Sequence, residues 1–226
     1  KGYNEAGDRV LSLLESAGCD AVSRYDISFE PMRGCARGLV KHEGKMIILS
    51  AVRFIYKTFP DGNVGYNKGN DIIIKGLAEY YKTNKNIEIH FFEKGEDLAS
   101  AKLLCTQLGL DGVIVWHKEM KFLDLLDLYQ KSDVCFDQVG CHWIGAIGFY
   151  ALWLGKPLIA NPEIAINSGI WRGESPILAA KTPIEIKHHL VLMESFSNRK
   201  CVSEMSILFA NSEIGPGRAL NKLFEI

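Results

Sequence analysis

The amino-acid sequence predicts an α/β fold, a Rossmann-like parallel sheet flanked by helices. Two observations point there. From residue 46 onward, short apolar runs alternate with longer segments whose apolar residues recur every three or four positions, the pattern of βαβ units. The apolar runs are also apolar on both faces, as expected of strands covered by helices on both sides of a sheet.

The strands are expected at 46–55, 87–92, 112–116, 133–137 and 157–160. Crossover helices are expected at 70–82, 97–108, 121–131 and 144–154, with Gly109 and the Gly155-Lys156-Pro157 run as stop signals. Further helices are expected at 183–195, 200–212 and 216–224, separated by Ser197-Asn198 and Gly215-Pro216-Gly217. The first 45 residues contain one plausible helix, 6–17, and then an irregular stretch, too little for a second domain. The expected organisation is therefore an N-terminal remnant or linker (1–45), a Rossmann-like domain (46–195) and a C-terminal helical tail (196–226).

The chain has 226 residues, 47% of them hydrophobic and 23% charged, which excludes disordered and fibrous classes. With 26 basic and 27 acidic residues, no field of the whole chain would hold a nucleic-acid backbone. The six cysteines form no C-x-x-C pair and read as reduced core thiols, which predicts a cytoplasmic location. No run approaches the roughly 20 apolar residues of a membrane span, and the segment from Lys1 to Arg9 lacks the apolar core of a signal peptide. Peripheral association with a membrane surface stays open.

In a parallel α/β sheet, ligands bind beyond the carboxyl ends of the strands, where helix N-termini present unpaired N–H groups and a positive dipole to anions. Four such loops carry candidate chemistry. The first holds Arg53 and Lys57, then the turn residues Pro60, Asp61, Gly62, Asn63 and Gly65, then Lys68 at the helix start. These cations could neutralise a diphosphate without a metal, or could be ordinary solvated surface charges. The second loop, with Gly95 and an acidic helix start, reads most simply as capping. The third, with Trp116 and His117, could line a base or ribose pocket, although a lone loop histidine is commonly a surface residue. The fourth runs from Asp137 through His142, Trp143, Ile144 and Gly145 into a helix with Ala146, Gly148 and Ala151. Small residues there admit either a ligand or close packing on the sheet. No serine or cysteine lies in a G-x-S-x-G context.

The order of these features carries a resemblance. Arg53, Lys68-Gly69-Asn70-Asp71, Gly95, Leu108-Gly109-Leu110, Val115-Trp116, Leu125 to Tyr129, Ser132-Asp133-Val134, Asp137-Gln138, Trp143-Ile144-Gly145 and Gly155 to Ile159 together resemble the C-terminal donor domain of the retaining glycosyltransferases built from two facing Rossmann-like domains (glycosyl transferases group 1, which includes glycogen synthase-like enzymes). The resemblance covers about residues 46–195 and implies one half of the B-type glycosyltransferase fold. It implies a nucleotide diphosphate sugar as substrate, a carbohydrate or lipid-linked acceptor, no metal or other cofactor, and a missing N-terminal domain without which the chain would not turn over. Arg53 and Lys68 would then hold the donor diphosphate, with Lys57 as a competitor because an insertion separates the two. Backbone amides around Ile144, Gly145 and Ala146 would face the sugar and its phosphates. Alignment on Gly155-Lys156-Pro157 puts His142 and Tyr150 where the family has two glutamates. A tyrosine offers one hydroxyl in place of two carboxylate oxygens, which implies altered ribose binding. Two other classes remain: a non-catalytic nucleotide-binding or assembly module on the same fold, and a nucleotide-sugar epimerase, which would want a carboxylate facing the sugar and finds only Asp137 in the fourth loop.

Overall fold

The computed structural model describes residue 32 and residues 35–140, 144–169, 171 and 174–214. The helices expected at 6–17 and 216–224, the side chains of His142 and Trp143, and the thiols Cys19 and Cys141 lie outside the described residues.

Six strands form one parallel sheet: β1 (Met46–Ser50), β2 (Ile87–Phe92), β3 (Ile114–His117), β4 (Val134–Phe136), β5 (Leu158–Ala160) and β6 (Leu178–Ala179), in the order β3-β2-β1-β4-β5-β6. The helices are α1 (Asn70–Tyr81), α2 (Leu98–Gln107), α3 (Phe122–Lys131), α4 (Ala146–Trp153), α5 (Glu163–Asn167), α6 (Pro183–Leu192) and α7 (Phe196–Phe209). Chain order reverses between β1 and β4, so the crevice at their carboxyl ends is the topological switch point of the sheet.

Successive residues of a strand point to opposite faces, and the two cores follow that alternation. Met46 and Ile48 of β1 and Val134 and Phe136 of β4 join Ile73, Leu77, Ala101, Cys105, Ile186 and Leu190 on one face. Leu49 and Cys135 point the other way, toward Leu126, Tyr129, Phe149, Leu152 and Phe209. The helix expected within a C-terminal tail, α7, therefore contributes to the second core and packs against α4.

Local chemistry explains the helix starts near the C-terminus. Thr182 and Glu185 form a reciprocal capping box with Pro183 in the first turn of α6. The Ser195 side chain accepts the Asn198 N–H and starts α7 at residue 196, ahead of the expected 200.

Strand β1 stops at Ser50, five residues short of the expected 55. The apolar residues continue, and Val52, Phe54 and Ile55 are buried, but their backbone leaves the ladder. Phe54 N–H donates to Lys94 O, Ile55 N–H to Asn70 Oδ1, and three consecutive amides, Tyr56, Lys57 and Thr58, donate to Asp97 Oδ2 at 2.7, 2.8 and 3.0 Å. Burial raises the Asp97 pKa, but the amides of Thr58, Tyr56 and Lys57 outweigh it and hold the carboxyl below its usual range.

The amino ends of the strands are closed by polar ties. Asp133 Oδ2 accepts Ile47 N–H (2.8 Å) and meets His42 Nε2 (3.0 Å), while Oδ1 lies 3.3 Å from Arg199 Nε. Lys156, only 1% exposed, donates its ammonium to Gly38 O and Gln130 O, both at 2.8 Å, and so fastens the segment before β1 to the sheet. Of the described cysteines, Cys105 and Cys135 are core thiols as expected, whereas Cys35 is half-buried and Cys201 is exposed, because it lies inside α7 off the face that buries Ser203, Ser206 and Phe209; all four are free. Among the described residues no helix is long and apolar enough to cross a membrane.

Candidate functional site

The loop entering α1 and the loop leaving β4 press together at the switch point. Val139 N–H (3.1 Å) and Gly140 N–H (3.3 Å) both donate to Lys68 O. A Cβ on Gly140 would lie 2.2 Å from Asn67 O, and one on Gly69, whose φ is +69°, would lie 2.6 Å from Gly140 N. Two glycines are needed because backbone meets backbone there.

This contact aims Lys68 across the crevice. Its ammonium donates to Gln138 Oε1 at 2.7 Å. Burial lowers its pKa, Asp137 opposes that pull, and Arg53 adds to it, so the three charged groups feel one another electrostatically. Arg53 is exposed on the loop after β1. It also helps hold the carboxyl of Glu119 down, behind the direct contact of Glu119 with Lys94 at 2.5 Å. Gly95 packs directly beneath this loop: a Cβ there would meet Phe54 O at 2.3 Å and Arg53 Cγ at 2.8 Å. Arg53, Lys68 and Gly95 thus lie together at one edge of the sheet. Lys57 is exposed further along, its ammonium 5.4 Å from the centre of the Tyr56 ring.

Asp137 directly follows β4, and its side chain reaches the N-terminus of α4. Its carboxylate is 1% exposed, and Oδ2 accepts the Gly145 N–H at 2.5 Å. A Cβ on Gly148 would lie 2.6 Å from the same oxygen. Burial pushes the Asp137 carboxyl up to about 6, against the opposing effects of the Gln138 and Gly145 amides, Lys68 and the Gly148 amide. Of the residues expected to offer amides to a donor, Gly145 therefore spends its N–H inside the protein. Asp137 is legible in the sequence as the carboxylate of the fourth loop, but its burial and its bond to Gly145, eight residues on, have no periodic signature. Ala146 is half-buried at the head of α4, and Ile144 is fully buried in the second core.

The remaining candidates lie to either side. Trp116 is packed rather than free: its indole lies 5.8 Å from Phe54 and 5.5 Å from Phe91, with Lys102 5.1 Å above it. His117 Nε2 shares a hydrogen bond of 2.7 Å with His90 Nδ1, and His90 Nε2 meets Glu88 Oε1 at 3.0 Å. Burial lowers both histidine pKa values; Glu88 opposes this at His90, and His90 reinforces it at His117. The neutral pair is therefore oriented by its carboxylate end, leaving His117 Nδ1 as an acceptor. Tyr150 lies edge-on to Phe122 of α3, with ring centres 5.2 Å apart.

No family model matches the sequence, and no curated protein matches it. Solved structures do. The C-terminal domain of the glycosyl transferase group 1 family protein LpcC from Francisella tularensis is 19% identical, with a TM-score of 0.57 over 75% of this chain and 86% of that one. S. aureus TarM in complex with fondaparinux, α-GlcNAc-glycerol and UDP is 10% identical, with a TM-score of 0.61 over 84% of this chain and 37% of that one. HepE from Anabaena in complex with UDP and glucose is 13% identical, with a TM-score of 0.60 over 80% and 48%. The chain thus spans well under two thirds of TarM and HepE and most of an isolated C-terminal domain. At these identities the likeness is one of fold: the six-stranded parallel sheet with its flanking helices is that of one half of a B-type glycosyltransferase.

Proposed function

We infer that this chain is the donor-binding half of a glycosyltransferase, which moves a sugar from a nucleotide diphosphate sugar to an acceptor hydroxyl with retention of anomeric configuration. One observation carries the reading. Lys68, bonded to Gln138 at the switch point, and Arg53, on the loop packed over Gly95, lie within electrostatic reach of each other, on a fold whose solved neighbours include proteins crystallised with UDP.

The chemistry suits that placement. Breaking the bond between sugar and diphosphate throws negative charge onto the leaving phosphate, and preset cations stabilise it without reorganising in the transition state. Lys68 is held in place by Gln138 and by its own carbonyl, while exposed Arg53 can move to a ligand. The two fill the charge-neutralising role of a metal, so none is invoked. Lys57 offers a third cation on a turn made rigid by Asp97. The acceptor, a carbohydrate or lipid-linked hydroxyl, would meet the sugar from an N-terminal partner domain, so binding rather than turnover is the proper readout for this chain.

The test is thermal unfolding with UDP, GDP, ADP and their sugars, repeated with Arg53→Ala and Lys68→Ala. A ligand at one hundred times its Kd stabilises the folded state by about 2.7 kcal/mol, a rise of roughly 5–10 °C for a chain of this size. Lys68→Ala is expected to weaken the responding nucleotide at least tenfold. A chain indifferent to every nucleotide is instead a non-catalytic assembly module. The packing of Tyr150 against Phe122, where the family has its second glutamate, is the feature that favours this second reading.

A further inference from the structure

We propose that Asp137 is the positioning residue of the diphosphate site, and that a nucleotide sugar enters the site together with one proton, which Asp137 takes up. The proposal rests on the donor-binding reading and adds to it how the site responds to its ligand.

Asp137 is built into the cradle. Its Oδ2 takes the Gly145 N–H at 2.5 Å, and glycine at 148 leaves room for that oxygen inside the first turn of α4. The positive end of the helix is thus already answered by a resident carboxylate. The groups facing Asp137 are few. From the loop before α1 comes Lys68, with Arg53 of the β1 loop beyond it. From α3 comes Tyr129, whose hydroxyl donates to Ile147 O at 2.9 Å and whose pKa is raised by burial and, among lesser causes, by Asp137. From α4 come the amides of Gly145 and Gly148, and Gln138 follows directly in the chain.

One half-buried cation, Lys68, therefore serves the resident carboxylate, and it is also the cation nearest Asp137 that a diphosphate would use. Arg53 can answer the diphosphate but not the buried carboxylate, so the charge Lys68 gives to one is lost to the other. A nucleotide sugar brings two further negative charges to within reach of Lys68, and a buried like charge is costly at low local dielectric. Asp137 titrates at about 6 in the free protein, so near neutral pH a proton is cheaply acquired. The proton comes from solvent or buffer and goes to the carboxylate of Asp137, whose Oδ2 keeps the Gly145 N–H. No covalent bond forms or breaks. Neutral Asp137 keeps the turn in place while giving up its claim on Lys68.

The experiment is isothermal titration of this chain with UDP-glucose, GDP-mannose and ADP-glucose, none of whose diphosphates titrates between pH 5 and 8. Each is run at pH 7 in two buffers of different ionisation enthalpy, and Kd is followed from pH 5.5 to 8. The expected result is uptake approaching one proton, with affinity falling up to tenfold per pH unit above the free Asp137 value. Asp137→Asn is expected to bind with no proton uptake and a flat pH profile. Binding by the unaltered chain without proton uptake overturns the proposal alone, and needs no variant to fold. So does uptake that persists in Asp137→Asn or disappears in His142→Ala. Failure of all three nucleotide sugars to bind at any pH overturns the donor-binding reading, and this proposal with it.

Discussion

Replacing Asp137 by asparagine should remove a pH dependence from the stability of the ligand-free protein. Asparagine keeps an oxygen for the Gly145 N–H but has no proton to exchange. In the unfolded chain the Asp137 carboxyl titrates near 3.8, and in the folded protein burial raises it to about 6. The folded state therefore holds a proton through a range in which the unfolded state has lost it. Stability from this group is fully present below about pH 4, falls as pH rises through 6, and is level above that. The difference, roughly a hundredfold in proton affinity, corresponds to about 3 kcal/mol. Other groups tilt the same curve, so the informative quantity is the difference between the two proteins. Urea unfolding of both at steps from pH 4.5 to 7.5, a window that opens above the unfolded value, should show the variant gaining on the parent by about 2 kcal/mol of that total. Parallel curves would mean that water or a rearranged Lys68 already solvates the carboxylate, and would refute the account of a desolvated acid in the turn.

Two further outcomes follow from the buried polar ties. Asp97→Ala strips the acceptor from the amides of Tyr56, Lys57 and Thr58 and should cost about 3 kcal/mol by urea denaturation. Because the folded Asp97 value is depressed, the stability from this residue is present at neutral pH and is lost as pH falls through that value, so the variant should also show a shallower loss of stability in acid. Lys156→Met fills the same space without donating to Gly38 O and Gln130 O. It should lower stability by roughly 2–3 kcal/mol and speed proteolytic cleavage within residues 35–45, read by mass spectrometry.

The parts of the fold legible in the sequence are those with a local period. The segment 121–131 carries apolar residues at helical spacing and is α3 to within a residue. The run 87–92 is β2 at its expected bounds. What was not legible has no such period. Strand β6 has two residues, too few to show alternation, and α5 has five, little more than one turn. Val52, Phe54 and Ile55 look like a continuation of β1 because they are apolar and buried, yet the acceptors of their neighbours' amides are a carboxylate and a carbonyl some 40 residues away. The same holds at the site. Residue type and position after a strand single out Arg53, Lys68 and Gly95. Their meeting at one edge, and the packing of Trp116 and His117 against neighbouring strands, are consequences of strand order.

By itself, the sequence determined that this chain would form a parallel α/β sheet with cations in its first crossover loop, because apolar periodicity and helix-start chemistry act over a few residues. Only the tertiary structure decided that Lys68 would face Gln138 and Asp137, that Asp137 rather than a ligand would hold the Gly145 amide, and that Asp97 would seize three amides of the β1 loop. Those pairings join residues 8 to 70 positions apart, and their energies depend on burial, which exists only once the two faces of the sheet are covered.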